Sequence, residues 1–253
     1  MKCKSNQKTI FAFFVILAAV LVLGSGCKSP SAENTEAPLK LTFVENFNDF
    51  NKVNWQKSDG WTNGSIFNCG WLASHVGFSG GIMTLTLDNT PSSGKKYSSG
   101  EYRTNKHYSY GKFEVRMKAA ANPGIVSSFF TYTGPSEGKP HDEIDIEFLG
   151  KNTRKVQLNY FKADVGGHEK LIDLGFDASK EFHVYGFLWE PDKITWYVDG
   201  KIVNVATTDI PTVPGKIMMN LWPGIGVDDW LGAYDGTVPL HASYDWVRYS
   251  ALR

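Results

Sequence analysis

The segment Glu143-Ile144-Asp145-Ile146-Glu147-Phe148 alternates acidic and apolar residues with a period of two. That period belongs to an extended strand, in which successive side chains point to opposite faces of a sheet. Glu143, Asp145 and Glu147 would then share one face, with Ile144, Ile146 and Phe148 packed on the other. The surrounding chain follows the same pattern. From Leu41 onward, short β-prone runs are separated by Gly, Pro, Asn and Asp, with little sustained 3.6-residue periodicity. Lys112–Lys118 places Phe113, Val115 and Met117 on one face and its charges on the other. Residues 193–205 read as a hairpin whose Asp199-Gly200 pair supplies the positive φ of a tight turn. Further strands are expected at 41–46, 81–87, 126–132, 156–161, 183–190, 216–221 and 243–250. This many strands predicts an all-β, two-sheet sandwich.

The N-terminus carries a different signal. Lys2, Lys4 and Lys8 precede an uncharged apolar run, residues 10–23, as in a cleavable export signal spanning residues 1–26. Gly24-Ser25-Gly26-Cys27 resembles the site at which bacterial lipoproteins are cut and acylated on the new terminal cysteine, so Cys27 is a candidate lipid acceptor. A plain secretory signal is the other reading. The chain is thus expected to be exported, either as a cell-surface lipoprotein with membrane attachment through Cys27 or as a secreted protein. Residues 27–39 are polar and contain two prolines, which fits a flexible tether. A single catalytic domain would then occupy residues 40–253. Without residues 1–26, 23 basic side chains face 26 acidic ones, a formal charge of −3. That balance argues against a nucleic-acid partner, and a monomer is expected. Only Cys69 remains in the domain, so an intramolecular disulfide is not expected.

Three acids on one strand face repel one another, and mutual repulsion keeps one protonated near neutral pH while another stays anionic. The Cα atoms of Glu143 and Glu147 lie about 13 Å apart at ~3.3 Å per residue. If their side chains lean together, the carboxyls approach the roughly 5–5.5 Å of a retaining glycosidase. An exposed acidic face or a divalent-cation site is the alternative for the bare pattern. The 35 aromatic residues exceed what a minimal core needs and would supply sugar-stacking surfaces, although any single one is as readily a core side chain.

The runs 142–150 (Asp-Glu-Ile-Asp-Ile-Glu-Phe-Leu-Gly), 124–134, 214–222 and 244–249 resemble glycoside hydrolase family 16, within it the bacterial lichenases, which are endo-1,3-1,4-β-glucanases. The resemblance covers nearly all of residues 41–249. It implies a concave, concanavalin-like jelly-roll sandwich, with Glu143 as nucleophile, Glu147 as general acid/base and Asp145 tuning their protonation. It implies a β-glucan polysaccharide as substrate and no cofactor for catalysis. Matching substrate-binding positions are Asn63, Phe67, Glu101, Arg103, Phe130, Tyr132, Asn159, Asn220 and Trp222. A structural Ca²⁺ on the convex side would use Asp245, with backbone carbonyls completing the site.

The sequence also departs from that pattern. Cys69 matches half of the family's disulfide, but Ser99 stands at the partner position. His141 replaces the usual Trp before Asp142, as in plant xyloglucan transglycosylases, and on its own reads as a solvent-exposed loop histidine. Phe161 and Trp61 stand where cleft tyrosines are usual. The strand lacks the extra Met that bulges it in the laminarinase branch. Glu101 and Arg103 could equally form a surface ion pair. Two other functions remain open: a xyloglucan-type transglycosylase or hydrolase of the same family, and a non-catalytic glucan-binding surface protein.

Overall fold

The computed structural model describes residues 38–253; the export signal, Cys27 and most of the expected tether lie outside them. In chain order the strands are β1 (Leu39–Glu45), β2 (Trp55–Lys57), β3 (Cys69–Trp71), β4 (Val76–Ser79), β5 (Ile82–Leu87), β6 (Tyr97–Ser99), β7 (Glu101–Thr104), β8 (Gly111–Lys118) and β9 (Ile125–Thr133). They continue with β10 (Asp142–Leu149), β11 (Lys155–Phe161), β12 (Lys170–Asp173), β13 (His183–Glu190), β14 (Lys193–Val198), β15 (Lys201–Ala206), β16 (Lys216–Pro223) and β17 (Leu240–Leu252). Two large antiparallel sheets result. One runs β15-β14-β13-β8-β17-β5-β4 with β1 added beside β17; the other runs β12-β11-β10-β9-β16-β7-β2. This is the two-sheet sandwich anticipated from the strand count, and the concave jelly roll that the resemblance implies.

The strands expected from alternation are all present. β1 begins at Leu39, which pairs with Leu252, one residue inside the stretch read as tether. Asp199 and Gly200 both have positive φ, 47° and 76°, and close the β14–β15 hairpin with Val198 opposite Lys201. β2, β3, β4, β6 and β12 went unrecognised because three or four residues carry too little periodicity to be seen.

Between the sheets lies an aromatic and aliphatic core. From β10 it takes Ile144, Ile146 and Phe148, all at most 1% exposed, and from the facing sheet Tyr185, Phe187, Trp189 and Trp196. Polar tips of buried aromatics tie the layers together. The Trp196 indole N–H donates to the carbonyl of Asp145 at 3.3 Å, and the Tyr244 hydroxyl donates to the carbonyl of Ser128 at 2.9 Å. Trp196 therefore fixes the middle of β10 from beneath; emptying that volume with Ala would cost about 3–5 kcal/mol. At the start of β10, Asp142 is buried with the apolar residues. Its carboxylate accepts from the backbone N–H groups of Ala163 (2.8 Å), Thr212 (2.7 Å) and Val213 (2.9 Å), which is how a charge is retained inside a core.

Cys69 is a fully buried free thiol. In the small parallel pair of β3 and β6 it stands opposite Tyr97, while Ser99 stands opposite Trp71. Burial pushes the thiol's pKa up, and Glu101's charge adds to this against the opposing charge of Lys95, so Cys69 is an inert core residue. On the outer face of the other sheet, Asp245 sits at an irregularity in the β17–β8 register and forms an ion pair with Arg116.

Candidate active site

The outer face of the β10 sheet carries a cleft of about 830 Å³. Its floor is laid out by strand register, because residues opposite one another across neighbouring strands share a face. One row crosses six strands: Asn159, Asp145, Phe130, Met218, Arg103 and Gln56. Beside it runs Phe161, Glu143, Tyr132 and Lys216. On the other side, Gln157, Glu147 and Ser128 are aligned, and the Ser128 hydroxyl donates to Asn220 Oδ1 at 2.6 Å. The alternation along β10 therefore becomes three carboxyls along the cleft floor, backed by Ile144, Ile146 and Phe148.

The three acids differ in their surroundings. Asp145, 4% exposed, has its pKa raised well above the usual range by burial and then by the charges of Glu143 and Glu147, and it shares a hydrogen bond with Glu143. Glu147 is pushed up to about 8, chiefly by burial and then by Glu143's charge, against one opposing hydrogen bond from Gln157. That bond runs from Gln157 Nε2 to Glu147 Oε2 at 3.0 Å. Gln157 is itself held by the Trp230 indole N–H, 3.0 Å from its Oε1. At the other end, Glu143 Oε2 is hydrogen-bonded to His141 Nε2. Near neutral pH the floor thus offers a protonated acid at Glu147 and, four residues away, a second carboxyl hydrogen-bonded by His141, an arrangement suited to acid-assisted nucleophilic substitution.

Most of the substrate-binding residues expected from the sequence line this cleft: Asn63, Phe67, Arg103, Phe130, Tyr132, Asn220 and Trp222. Phe67 and Trp222 lie with ring centroids 4.2 Å apart, making an aromatic wall. Arg103 is neither free nor paired with Glu101. Its Nε donates to Gln56 Oε1 at 3.3 Å, and its guanidinium lies 4.9 Å from the Trp61 ring centre. Two expected residues fall outside the lining. Glu101 is fully buried behind the floor, accepting from Ser58 Oγ (2.6 Å), Asn63 Nδ2 (2.7 Å) and Asn220 Nδ2 (3.2 Å). It anchors two lining asparagines, and burial raises its pKa despite those bonds. The surface ion pair considered for it is therefore replaced by a buried polar network. Asn159 is turned toward residues 168–169, accepting from the His168 backbone N–H at 3.3 Å and donating to Glu169 at 3.5 Å.

Other lining residues escaped the sequence reading: Gln56, Thr62, Ser128, Ser136, Glu137, Lys216 and Met218. Glu137 ties the Gly134–Pro140 loop down through Lys216 Nζ at 2.7 Å and through His107. A Cβ at Gly134 would come within 2.3 Å of the Tyr132 hydroxyl, so a larger residue there would displace that cleft side chain. His141, expected in solvent, has a side chain only 22% exposed and lines the cleft.

A divalent cation has no ready seat. Among the described residues no three His, Cys, Asp or Glu side chains cluster as a metal site, and the Asp245 carboxylate is engaged by Arg116. A hard cation needs six or more oxygen ligands, so at Asp245 backbone carbonyls would have to supply most of them.

The profile of glycosyl hydrolases family 16 matches residues 63–248. The chain belongs to that family. A β-glucanase of Acetivibrio thermocellus is 57% identical over 236 residues, covering 93% of this chain and 70% of that protein. A prokaryotic β-1,3-1,4-glucanase (lichenase) from a mouse hindgut metagenome superimposes with a TM-score of 0.81 at 56% identity, covering 83% of this chain and 99% of the other. The Bacillus licheniformis β-glucanase gives 0.80 at 56% identity, covering 85% and 99%. The family 16 chain is a glycoside hydrolase, and its catalysis needs no cofactor.

Proposed function

We propose that the protein is a retaining endo-β-glucanase that hydrolyses mixed-linkage 1,3-1,4-β-glucan through a covalent glycosyl-enzyme. The observation that carries this reading is the unequal treatment of two acids on one strand face. Glu147 is held protonated to about pH 8, while Glu143 accepts a hydrogen bond from His141.

In the first step a Glu143 carboxylate oxygen attacks the anomeric carbon, the glycosidic C–O bond breaks, and Glu147 protonates the departing oxygen. In the second, water attacks the same carbon, Glu147 takes its proton, and the bond to Glu143 breaks with its electron pair returning to the carboxylate. Asp145 keeps its proton and hydrogen-bonds Glu143 throughout. Asn63, Arg103, Asn220, Phe67 and Trp222 orient the glucan, and Glu101 orients the asparagines. An open, aromatic-walled groove accommodates an internal stretch of polymer, which fits endo-cleavage.

The test is release of reducing sugar from barley β-glucan, laminarin, carboxymethylcellulose and xyloglucan, with NMR of the first product. Turnover of barley β-glucan with retained configuration is expected. Turnover of xyloglucan alone would overturn the substrate, and an inverted product would overturn the mechanism. Added oligosaccharide acceptors separate hydrolysis from transglycosylation, since glycosyl transfer would lengthen them.

Export also belongs to this reading: the basic-apolar N-terminus and Cys27 fit a surface lipoprotein that acts on polymers too large to enter a cell. Labelling with a fatty-acid analogue, lost in Cys27→Ser, tests the anchor. A structural Ca²⁺ at Asp245 would compete with Arg116 for the carboxylate. Melting temperatures with EDTA and with added calcium test it: a calcium-dependent rise in wild type would support the site, and a rise only in Arg116→Ser would show that the ion pair blocks it.

A further inference from the structure

We propose that His141 is a positioning residue for the covalent intermediate, holding Glu143 in one rotamer and stabilising its carboxylate as it departs from the sugar in the second step. The proposal rests on the retaining reading above. Its basis is geometric. The imidazole lies stacked on Phe161, with centroids 4.6 Å apart and planes at 20°, and packs against Tyr132 at 5.2 Å. Its backbone carbonyl accepts from the Asp164 N–H at 3.0 Å. The ring is thus clamped from two sides with Nε2 aimed at Glu143 Oε2. An ionised carboxylate can only accept, so Nε2 must carry the hydrogen.

Charge supports the same role. The groups facing the ring are Glu143 and Asp142 from β10, Asp164 from the loop after β11, and the Tyr132 hydroxyl from β9. Burial pulls the imidazole down, but the hydrogen bond to Glu143 and the charges of Glu143, Asp164 and Asp142 outweigh it, and its pKa is raised. The surrounding charges thus favour the cationic form of the donor.

The consequence differs between the two steps. When Glu143 becomes an ester, its oxygens lose most of their negative charge and the His141 bond weakens. When water attacks C1, the C1–O bond to Glu143 breaks, the electron pair returns to the carboxylate, and the bond strengthens again. The proton stays on Nε2 throughout. A contact stronger in the transition state than in the glycosyl-enzyme accelerates that step.

The experiment uses an activated aryl β-glycoside of a glucan oligosaccharide, for which the second step limits turnover. Wild type, H141F and H141Q are compared for kcat, KM, melting temperature and the fraction of covalently glycosylated enzyme seen by intact-mass spectrometry after acid quench. H141F keeps the stacking and loses the donor; it is expected to lower kcat about 10- to 100-fold, the worth of one charge-assisted hydrogen bond, while the glycosylated fraction rises. H141Q, with an uncharged N–H, is expected to recover part of kcat. Wild-type kcat and glycosylated fraction in H141F would overturn the proposal. So would equal losses in both variants with falling melting temperatures and no accumulation of adduct, which would mark His141 as packing alone. Failure of the retaining reading is separately visible, since wild-type enzyme would then form no adduct and would invert configuration.

Discussion

Glu143 and Glu147 occupy opposite ends of one strand face, four residues apart, and the fold gives them opposite company. At the Glu143 end the neighbours are the His141 imidazole and the hydrogen bond shared with Asp145. At the Glu147 end there is burial and a single amide donor, Gln157. Identical side chains on one backbone segment are thus given different surroundings by what the adjoining strands and loops place beside them. The lesson is that the acids come from the strand, while their roles come from its neighbours.

Removing either acid breaks this comparison most severely. Glu143→Gln is expected to lower kcat on barley β-glucan by about 10⁴-fold or more, since no other group beside the scissile bond can form the covalent intermediate. Glu147→Ala is expected to cost about 10²–10⁴-fold on glucan, the range for loss of general acid–base assistance. On an aryl glycoside whose leaving group needs no proton, Glu147→Ala should retain much more of the glycosylation rate, and Glu143→Gln should not. Steady-state kinetics on the two substrates reads the difference. Equal losses for both variants on both substrates would mean that the two ends of the strand are not specialised.

The specialisation was only partly legible in the sequence. Period-two alternation exposes Glu143, Asp145 and Glu147, because their shared face depends only on residues within one strand. Phe130 and Met218 follow once the register is known, but register is set between strands and leaves little trace in any one of them. Gln157, Ser128 and Lys216 are accordingly invisible as site residues until β9, β10, β11 and β16 are aligned. His141 reads as an exposed loop residue because its fate depends on Phe161, twenty positions away, offering a ring to stack on. Glu101 reads as a surface acid because nothing local announces that Ser58, Asn63 and Asn220 converge on its carboxylate. The resemblance to the family supplied the cleft residues that periodicity could not, without showing that Glu101 acts from behind the floor.

A finer perturbation sharpens the contrast. Gln157 donates to the carboxylate form of Glu147 and so opposes the upward shift caused by burial. Gln157→Leu removes that opposition, and the alkaline limb of the kcat/KM profile should move to higher pH by roughly half a unit to one unit. Trp230→Phe, which frees the Gln157 amide from its anchor, should give a smaller shift of the same sign. The acidic limb should move in neither variant. A pH-rate profile in which both limbs shift together would show that the two ends titrate as one unit, as strongly interacting carboxyls can.

The smallest effect is on stability, and its sign follows from the same asymmetry. Glu147 has a folded pKa near 8 against an ordinary value of 4.5, so the folded protein binds a proton more tightly than the unfolded chain. Below about pH 4 both states are protonated and the site costs nothing. Between the unfolded and folded values, ionisation favours the unfolded chain, and stability declines as pH rises until the folded carboxyl is also ionised. Glu147→Gln keeps the shape and removes the titration. It should raise the melting temperature by a few degrees at pH 8, by less at pH 6, and by close to nothing at pH 4. Glu143→Gln should not reproduce that pH dependence, since it breaks the bond to His141 at the end of the strand where an anion is accommodated. Calorimetry of both variants at the three pH values separates the outcomes: a Glu147→Gln gain that did not depend on pH would indicate improved packing and leave the tuned-acid account without support.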